Sequence, residues 1–389
     1  MSCISSNNNR FYAEAESAYG TVPAITEQNR IPTVRLAIRH KAVQGQRRDK
    51  TGSRTYVGSP AGVRTRTSFE LETYMTSWQE QSQPPSQGAL FKSAMGGAAT
   101  MHPAATVASV PAAKHLTLTA PHGLTAGAAV SFGSDIRFVE AVVDTTTIQL
   151  NAPFSIMPSQ GSALNKTIVY RLGESPGSVS VYDYWSPQTA VQRILSGAAI
   201  SKLQIKVNGD FHSFVFTGEA KDVLDSTTFA NGQGGLAAFY QEPELAAFDF
   251  SVIPGHLGQA WMGTTATQFL TLTDAEITIE NNLDLRSREF GSTGPCCITA
   301  GQRTITLKFN LFQQDDEQTT ALYQAAKQRS PISAFFQLGQ QSGQLFGIYM
   351  KSVLLEIPEF NDKDTRVEWQ FSASRAQGTV DDELFIAFA

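Results

Sequence analysis

The residues of this chain that come nearest to a reactive pair are the adjacent thiols Cys296-Cys297, since neighbouring thiols can serve a redox cycle. They fall in a polar loop without Cys-x-x-Cys spacing, and they read as an incidental pair. Two carboxylate clusters, Asp315-Asp316-Glu317 and Asp381-Asp382-Glu383, could in principle hold a divalent ion. Neither has the spacing of a calcium loop, and both read as solvated ends of elements. The six histidines are scattered among turns and offer no base for a Ser or Cys nucleophile. His122, between Pro121 and Gly123, has no second His or carboxylate at ligand spacing and reads as a turn residue. There is no Gly-rich loop ending in Lys-Ser or Lys-Thr, no nucleophile elbow and no His-Glu-x-x-His. The expectation is therefore no catalytic, cofactor-binding or metal-binding residue, no cofactor, and no enzyme.

The composition narrows the class further. The 389 residues are 41% hydrophobic and 17% charged, as in a folded chain whose surface leans on Ser, Thr, Gln and Asn. A net charge of −5 argues against a general nucleic-acid-binding surface, because neutralising phosphates requires clustered Lys and Arg. No apolar run approaches a membrane span, and the opening MSCISSNNNR lacks the features of a signal peptide, so no membrane insertion is expected. Three cysteines cannot build a disulfide framework, which points to synthesis in a reducing compartment.

The elements are organised around a stretch that returns. Val179 to Phe216 reappears 153 residues later, with Val179 on Ile332, Tyr182 on Phe335, Ile200 on Val353 and Phe216 on Trp369. Each copy reads as a strand, a crossing segment and a hairpin, turning at Asn208-Gly209-Asp210 and at Asn361-Asp362-Lys363-Asp364. Ala89 to Ala94 answers to Ala321 to Ala326, each spaced for a short amphipathic helix. Loop Gln44 to Gly62 answers to loop Asn281 to Gly301, each followed by a strand with period-two alternation, Val63 to Met75 and Thr304 to Leu311. Loops this long tend to be functional, and two in equivalent places suggest contacts between molecules.

These observations predict a mainly β fold, a sandwich or barrel with one short helix per unit, in two tandem copies plus a small inserted β domain. The expected division is an N-terminal arm (1–30), a first unit (31–96 and 176–225), the insert (97–175), a connector (226–268) and a second unit (269–389). The insert opens on a Gly/Ala linker and carries strand-like runs at His115 to Thr119, Ala129 to Phe132, Arg137 to Val143, Thr147 to Leu150 and Thr167 to Leu172. The arm holds aromatic residues in a segment with neither period long enough to fold alone, which suggests that it packs on something else.

The segments Glu16-Ser17-Ala18-Tyr19-Gly20-Thr21-Val22-Pro23, Gly339 to Phe346 and Ser374-Arg375-Ala376-Gln377-Gly378-Thr379, with Asp382-Glu383, resemble the major tail tube proteins of long-tailed bacteriophages. The resemblance covers both copies and excludes the insert. It implies a β-sandwich flanked by a helix, with a mobile arm and a long loop, assembling into six-membered rings. A chain with two units resembles the fused variants, in which three subunits give a ring of six units; hexameric rings are the alternative. A single arm is a departure from that pattern, and the connector could stand in for the second. The contacts expected between subunits or rings are Phe11, Tyr12 and Tyr19 of the arm, Arg47, Arg48, Arg54 and Tyr56 of the first loop, and Arg286, Arg288 and Phe290 of the second. The partners implied are further copies of the chain, the tape-measure and tail-terminator proteins, and duplex DNA passing without sequence-specific binding. The implied location is the virion, after synthesis in the host cytoplasm, with the insert on the outside. The alternative reading is a carbohydrate- or receptor-binding adhesin of a tail tip or cell surface, with the insert as its binding module.

Overall fold

A computed structural model of the chain describes all residues except 1–2, 44–48, 56–57, 59–63, 79–80, 246–249, 288 and 364. In chain order its first part gives strands β1 (Asn9–Ala15), β2 (Arg30–Ile31), β3 (Thr33–Val43) and β4 (Arg64–Tyr74), helix α1 (Gly88–Met95) and strand β5 (Gly96–His102). Then follow β6 (Ala105–Ala112), β7 (His115–Leu118), β8 (Ala129–Phe132), β9 (Asp135–Val142), β10 (Thr147–Leu150), β11 (Ala163–Leu164) and β12 (Thr167–Leu172). The middle of the chain supplies β13 (Ser178–Trp185), β14 (Arg193–Val207), β15 (Ser213–Ala220), β16 (Asp222–Asp225), β17 (Gly258–Gly263) and β18 (Thr267–Phe269). The last part supplies β19 (Leu272–Glu280), β20 (Asp284–Leu285), β21 (Ile298–Thr299), β22 (Thr304–Phe312), α2 (Glu317–Gln328), β23 (Ile332–Leu338), β24 (Phe346–Leu354), β25 (Glu359–Asn361), β26 (Glu368–Ala376) and β27 (Phe385–Phe388). The fold is mainly β with two α-helices among the described residues, as the sequence leads one to expect.

All ladders among the described residues are antiparallel, and β14 organises them because it belongs to two layers. Its first half pairs with β13 and β16; its second half pairs with β15 and β19, and a bulge between Ile200 and Lys202 makes the change. One layer therefore runs β3-β4-β15-β14-β19-β22-β26-β25. Opposite lie β18-β17-β23-β24-β27-β12-β5 and β2-β1-β13-β14-β16. The alternation foreseen in β4 is present: Thr67, Phe69, Leu71 and Thr73 are buried, while Arg64 and Arg66 are exposed.

Ladder registers recur along the chain. Val181–Leu195 and Tyr182–Ile194 return as Ala334–Met350 and Phe335–Tyr349. Ile205–Phe214 returns as Phe360–Trp369, and Ile38–Phe69 as Ile277–Leu307. Even the bulges recur, at Val179/Val181 and Ile332/Ala334, and at Thr33/Arg35 and Leu272/Asp274. The constant interval of 153 expected from the sequence holds for β13 and β23 but is two residues short for β14 and β24, where Leu195 answers to Met350. Side chains alternate with period two, so a slip of two keeps every apolar residue on the same face and leaves no trace in the pattern.

The α1 helix closes the space between the layers. Its left-handed C-terminal residue is Gly96, at φ 76°, where an added Cβ would come within 2.9 Å of the Gly173 carbonyl oxygen. Phe91, fully buried, meets Phe214, Phe216, Phe346, Phe388 and Tyr170 at ring-centroid distances of 5.0, 5.4, 5.6, 5.4 and 5.8 Å. One side chain thus joins α1 and β15 to β24, β27 and β12.

Within the expected insert, β11-β6-β7-β10-β9-β8 form a separate six-stranded sheet around Val107, Leu116, Leu118, Val139 and Ile148. The flanking strands differ from expectation. The segment read as a Gly/Ala linker is β5, and β5 pairs with β12, which pairs with β27 in the large sheet. On the other side Phe138 packs on Phe335 and Tyr349, with ring centroids 5.9 and 5.5 Å apart. Arg137, fully buried, donates to the Pro153 carbonyl at 2.7 Å, to Gln337 Oε1 at 2.9 Å and to Gln259 Oε1 at 3.0 Å, with Asp135 at 3.3 Å. Burial pushes its pKa down to about 10, which leaves it charged at neutral pH, held by this cage. The small sheet is thereby fixed against β17 and β23.

Replacing Phe91 with Ala is expected to destabilise the whole chain in one transition by about 4 kcal/mol, the cost of an aromatic cavity in a shared core. Urea unfolding followed by tryptophan fluorescence checks it: two separated transitions would contradict a single core.

Candidate functional site

The N-terminal arm is folded onto its own chain. β1 pairs with β13 through seven rungs, from Asn9–Trp185 to Ala15–Val179, and Phe11 and Tyr12 are buried. Phe11 and Tyr12, expected to contact a neighbouring subunit, have their apolar surface covered within the chain. Arg10 Nη2 donates to Glu242 Oε2 at 2.6 Å, and Tyr12 Oη to Glu242 Oε1 at 3.1 Å, so the connector clasps the arm. Burial, with the Glu242 carboxylate, pushes the Tyr12 pKa up to about 12. The Glu16 carboxylate accepts from Gly20 N (2.6 Å), Gly197 N (2.7 Å), Ser178 Oγ (2.6 Å) and Ser180 Oγ (2.6 Å), buckling the end of the arm to β13 and β14. Tyr19 is half-buried beneath the Lys221 ammonium, 5.6 Å from the ring centroid.

The surfaces left open for a partner are sheet edges, which were not among the contact residues expected from the sequence. Inside the chain β14 and β19 make a finished seam. Its core-side rungs are Leu203–Ile279, Ile205–Ile277 and Val207–Ala275, and Leu203, Ile205, Ile277 and Ile279 are fully buried. Its polar rungs are Lys202–Glu280, with Nζ and Oε1 3.5 Å apart, Gln204–Thr278 and Lys206–Glu276. The layer then ends twice without a neighbour among the described residues. At one end is β3, paired only to β4, with Leu36 and Ile38 half-buried and Arg35, Arg39 and Lys41 exposed. At the other end is β25, paired only to β26; Phe360 within it is 56% and Ile357 just before it 59% exposed. The register sets Phe360 where Ile205 stands in the seam, and Ile38 where Ile277 stands. The counterpart of the continuous β14 is broken here, between β24 and β25, around Pro358. Unpaired edges of this kind are templates for another strand.

The family model described as phage tail tube protein matches residues 6–382. The chain belongs to the phage tail tube protein family. It is a structural component of a phage tail tube, of a family that is not an enzyme class, and nothing found supports the adhesin alternative. Among solved structures it resembles a protein of the SPP1 tail tube at 12% identity, covering 33% of this chain and 81% of that one with a TM-score of 0.25, too low to add to the assignment. No curated protein matches it.

Of the loop residues expected to make contacts in this tail tube protein, Arg47, Arg48, Tyr56 and Arg288 lie outside the described residues. Arg54 is exposed, Arg286 is exposed and paired with Glu289, and Phe290 projects fully into solvent, with a relative exposure of 106%. The stretch expected as one open loop over 281–301 contains the two-stranded ribbon β20–β21. Its far side docks on the base of the first loop: Thr65 N donates to the Thr293 carbonyl at 2.9 Å, and Arg64 Nη2 to that of Glu289 at 3.1 Å. In the ribbon the Cys296 thiol donates to Glu289 Oε2 at 3.1 Å. That bond pushes its pKa up to about 11, the opposite of an activated thiol. No group of three or more His, Cys, Asp or Glu that could hold a metal occurs among the described residues.

His212, at the turn before β15, is buried, and its Nε2 lies 2.9 Å from the Leu257 carbonyl of the connector. Burial lowers its pKa, as it lowers that of His102. The folded state then binds a proton less readily than the unfolded chain. The stability from keeping these imidazoles neutral is complete above about pH 6.5 and is lost as pH falls below it. Thermal melts from pH 7.5 to 5 are expected to show a falling midpoint, with a shallower slope in His212→Gln; an unchanged slope would contradict the assignment.

Proposed function

We propose that three copies of this chain close into a ring, each contributing two tube units, and that rings stack into the tube through which duplex DNA passes. The observation that carries the reading is that the molecule holds one finished seam, β14–β19, together with two half-seams of matching register. The recurring ladders and bulges support two tandem units, and a ring removes both open edges at once. The exposed, polar face of the β3-to-β25 layer would then line the bore. There Arg35–Glu70, Arg66–Glu219 and Lys202–Glu280 pair their charges, which weakens the hold of that face on the phosphates of a sliding duplex. The small sheet, packed on β17 and β23 of the opposite layer, would face outward. Phe290 and Arg286, on the projecting ribbon, are offered for contact with the next ring, and the tape-measure and tail-terminator proteins would meet the bore and the tube end. Synthesis in the host cytoplasm and residence in the virion follow from this role.

Purified protein is expected to form tubes of uniform bore by negative-stain microscopy, and isolated rings a mass of three chains by native mass spectrometry. Phe360→Asp, at an exposed site, is expected to leave the chain folded and to abolish rings. Concentrated wild-type protein that stays monomeric would sink the reading.

A further inference from the structure

The finished seam and the open edges carry their charges with opposite polarity. On the polar side of the internal seam β14 brings Lys202 and Lys206, and β19 brings Glu280 and Glu276. Carrying that register over to the open edges requires only the recurring ladders. Gln204–Val215 returns as Glu359–Gln370, so residue 204 answers to 359. Ala37–Glu70 returns as Glu276–Lys308, so 276 answers to 37 and 278 to 39. A seam between copies built on this template sets Glu359 opposite Arg39, Ile357 opposite Lys41 and, on the core side, Phe360 opposite Ile38. Here the β25 edge is acidic, with Glu356 and Glu359 exposed, and the β3 edge is basic, with Arg39 and Lys41 exposed.

We infer that charge decides which edge meets which: the first unit supplies cations and the second carboxylates at both seams, so a second copy of this chain can dock only head to tail, with Glu359 against Arg39. The inference rests on the ring reading above and adds its register and its selectivity. The alternatives show why polarity matters. β3 laid on the β3 of a second copy sets a basic edge on a basic edge, with Arg39 and Lys41 of one copy facing those of the other. The edge carrying β25, laid on the same edge of a second copy, sets Glu356 and Glu359 against the same carboxylates. Both crowd like charges on a cross-strand ladder, which is unfavourable, whereas the alternating arrangement opposes them. Selection by charge matters in a duplicated chain because both units present similar apolar rungs, which by themselves do not distinguish one edge from the other.

The test is a charge exchange read by assembly of the full chain. Arg39→Glu and Glu359→Arg, each at an exposed position, are expected to keep the wild-type thermal midpoint and to raise the concentration needed for ring formation about tenfold, the order expected for reversing a close interfacial pair. The double variant is expected to return close to the wild-type threshold, and the wild-type threshold itself is expected to rise with salt. Single variants that assemble like wild type, or a double variant no better than either single, would overturn the register while leaving the ring standing. Wild-type protein that forms no rings would remove the ring reading, and this inference with it.

Discussion

The structure depends on Phe91. Five aromatic rings from four strands close around it, two from β15 and one each from β12, β24 and β27. Edge-to-face and tilted contacts add to the burial of a large apolar surface, and they can form only when α1 is seated and the C-terminal strands β24 and β27 have arrived. The repeated ladders by themselves describe two bodies joined by a string. The shared core instead ties the halves together, and the buried cluster extends without interruption from Phe11 and Leu71 to Leu311 and Phe388.

Around that core the rigid connections fall where a ring would need them. β14 changes layers at its bulge, so the strand that forms the internal seam is also anchored by β13 and β16 in the other layer. The small sheet braces the second half through Phe138 and the caged Arg137 guanidinium. Substituting either partner of a caged charge leaves the other buried and unsatisfied, which is a stronger constraint on position than on net stability. The angle between the halves, and with it the curvature of the layer, is therefore set within one molecule before any neighbour arrives.

Much of this was legible in the residues. The alternation in Arg64–Tyr74 marked a half-buried strand, and the turn residues of the small sheet delimited its strands. What could not be read was nonlocal. Phe11 and Tyr12 looked unsatisfied because the strand that covers them, Ser178–Trp185, lies far along the chain. Gly96-Gly97-Ala98-Ala99 looked like a linker because small residues give no period, although the backbone there pairs with β12. The β3 edge carries no local mark: Ile38 and Ile277 sit in similar strands, and only the tertiary ladder shows that one is covered and the other is not.

The break around Pro358 bears on how such a protein survives before it polymerises. A tube subunit must accumulate at high concentration with adhesive borders exposed, the situation in which strands stack without limit into fibrils. Proline offers no amide hydrogen, and β25 is only three residues long, so this border cannot act as a continuous ladder for an arbitrary strand. Orderly growth and indiscriminate clumping are thus separated by an imperfection in one strand.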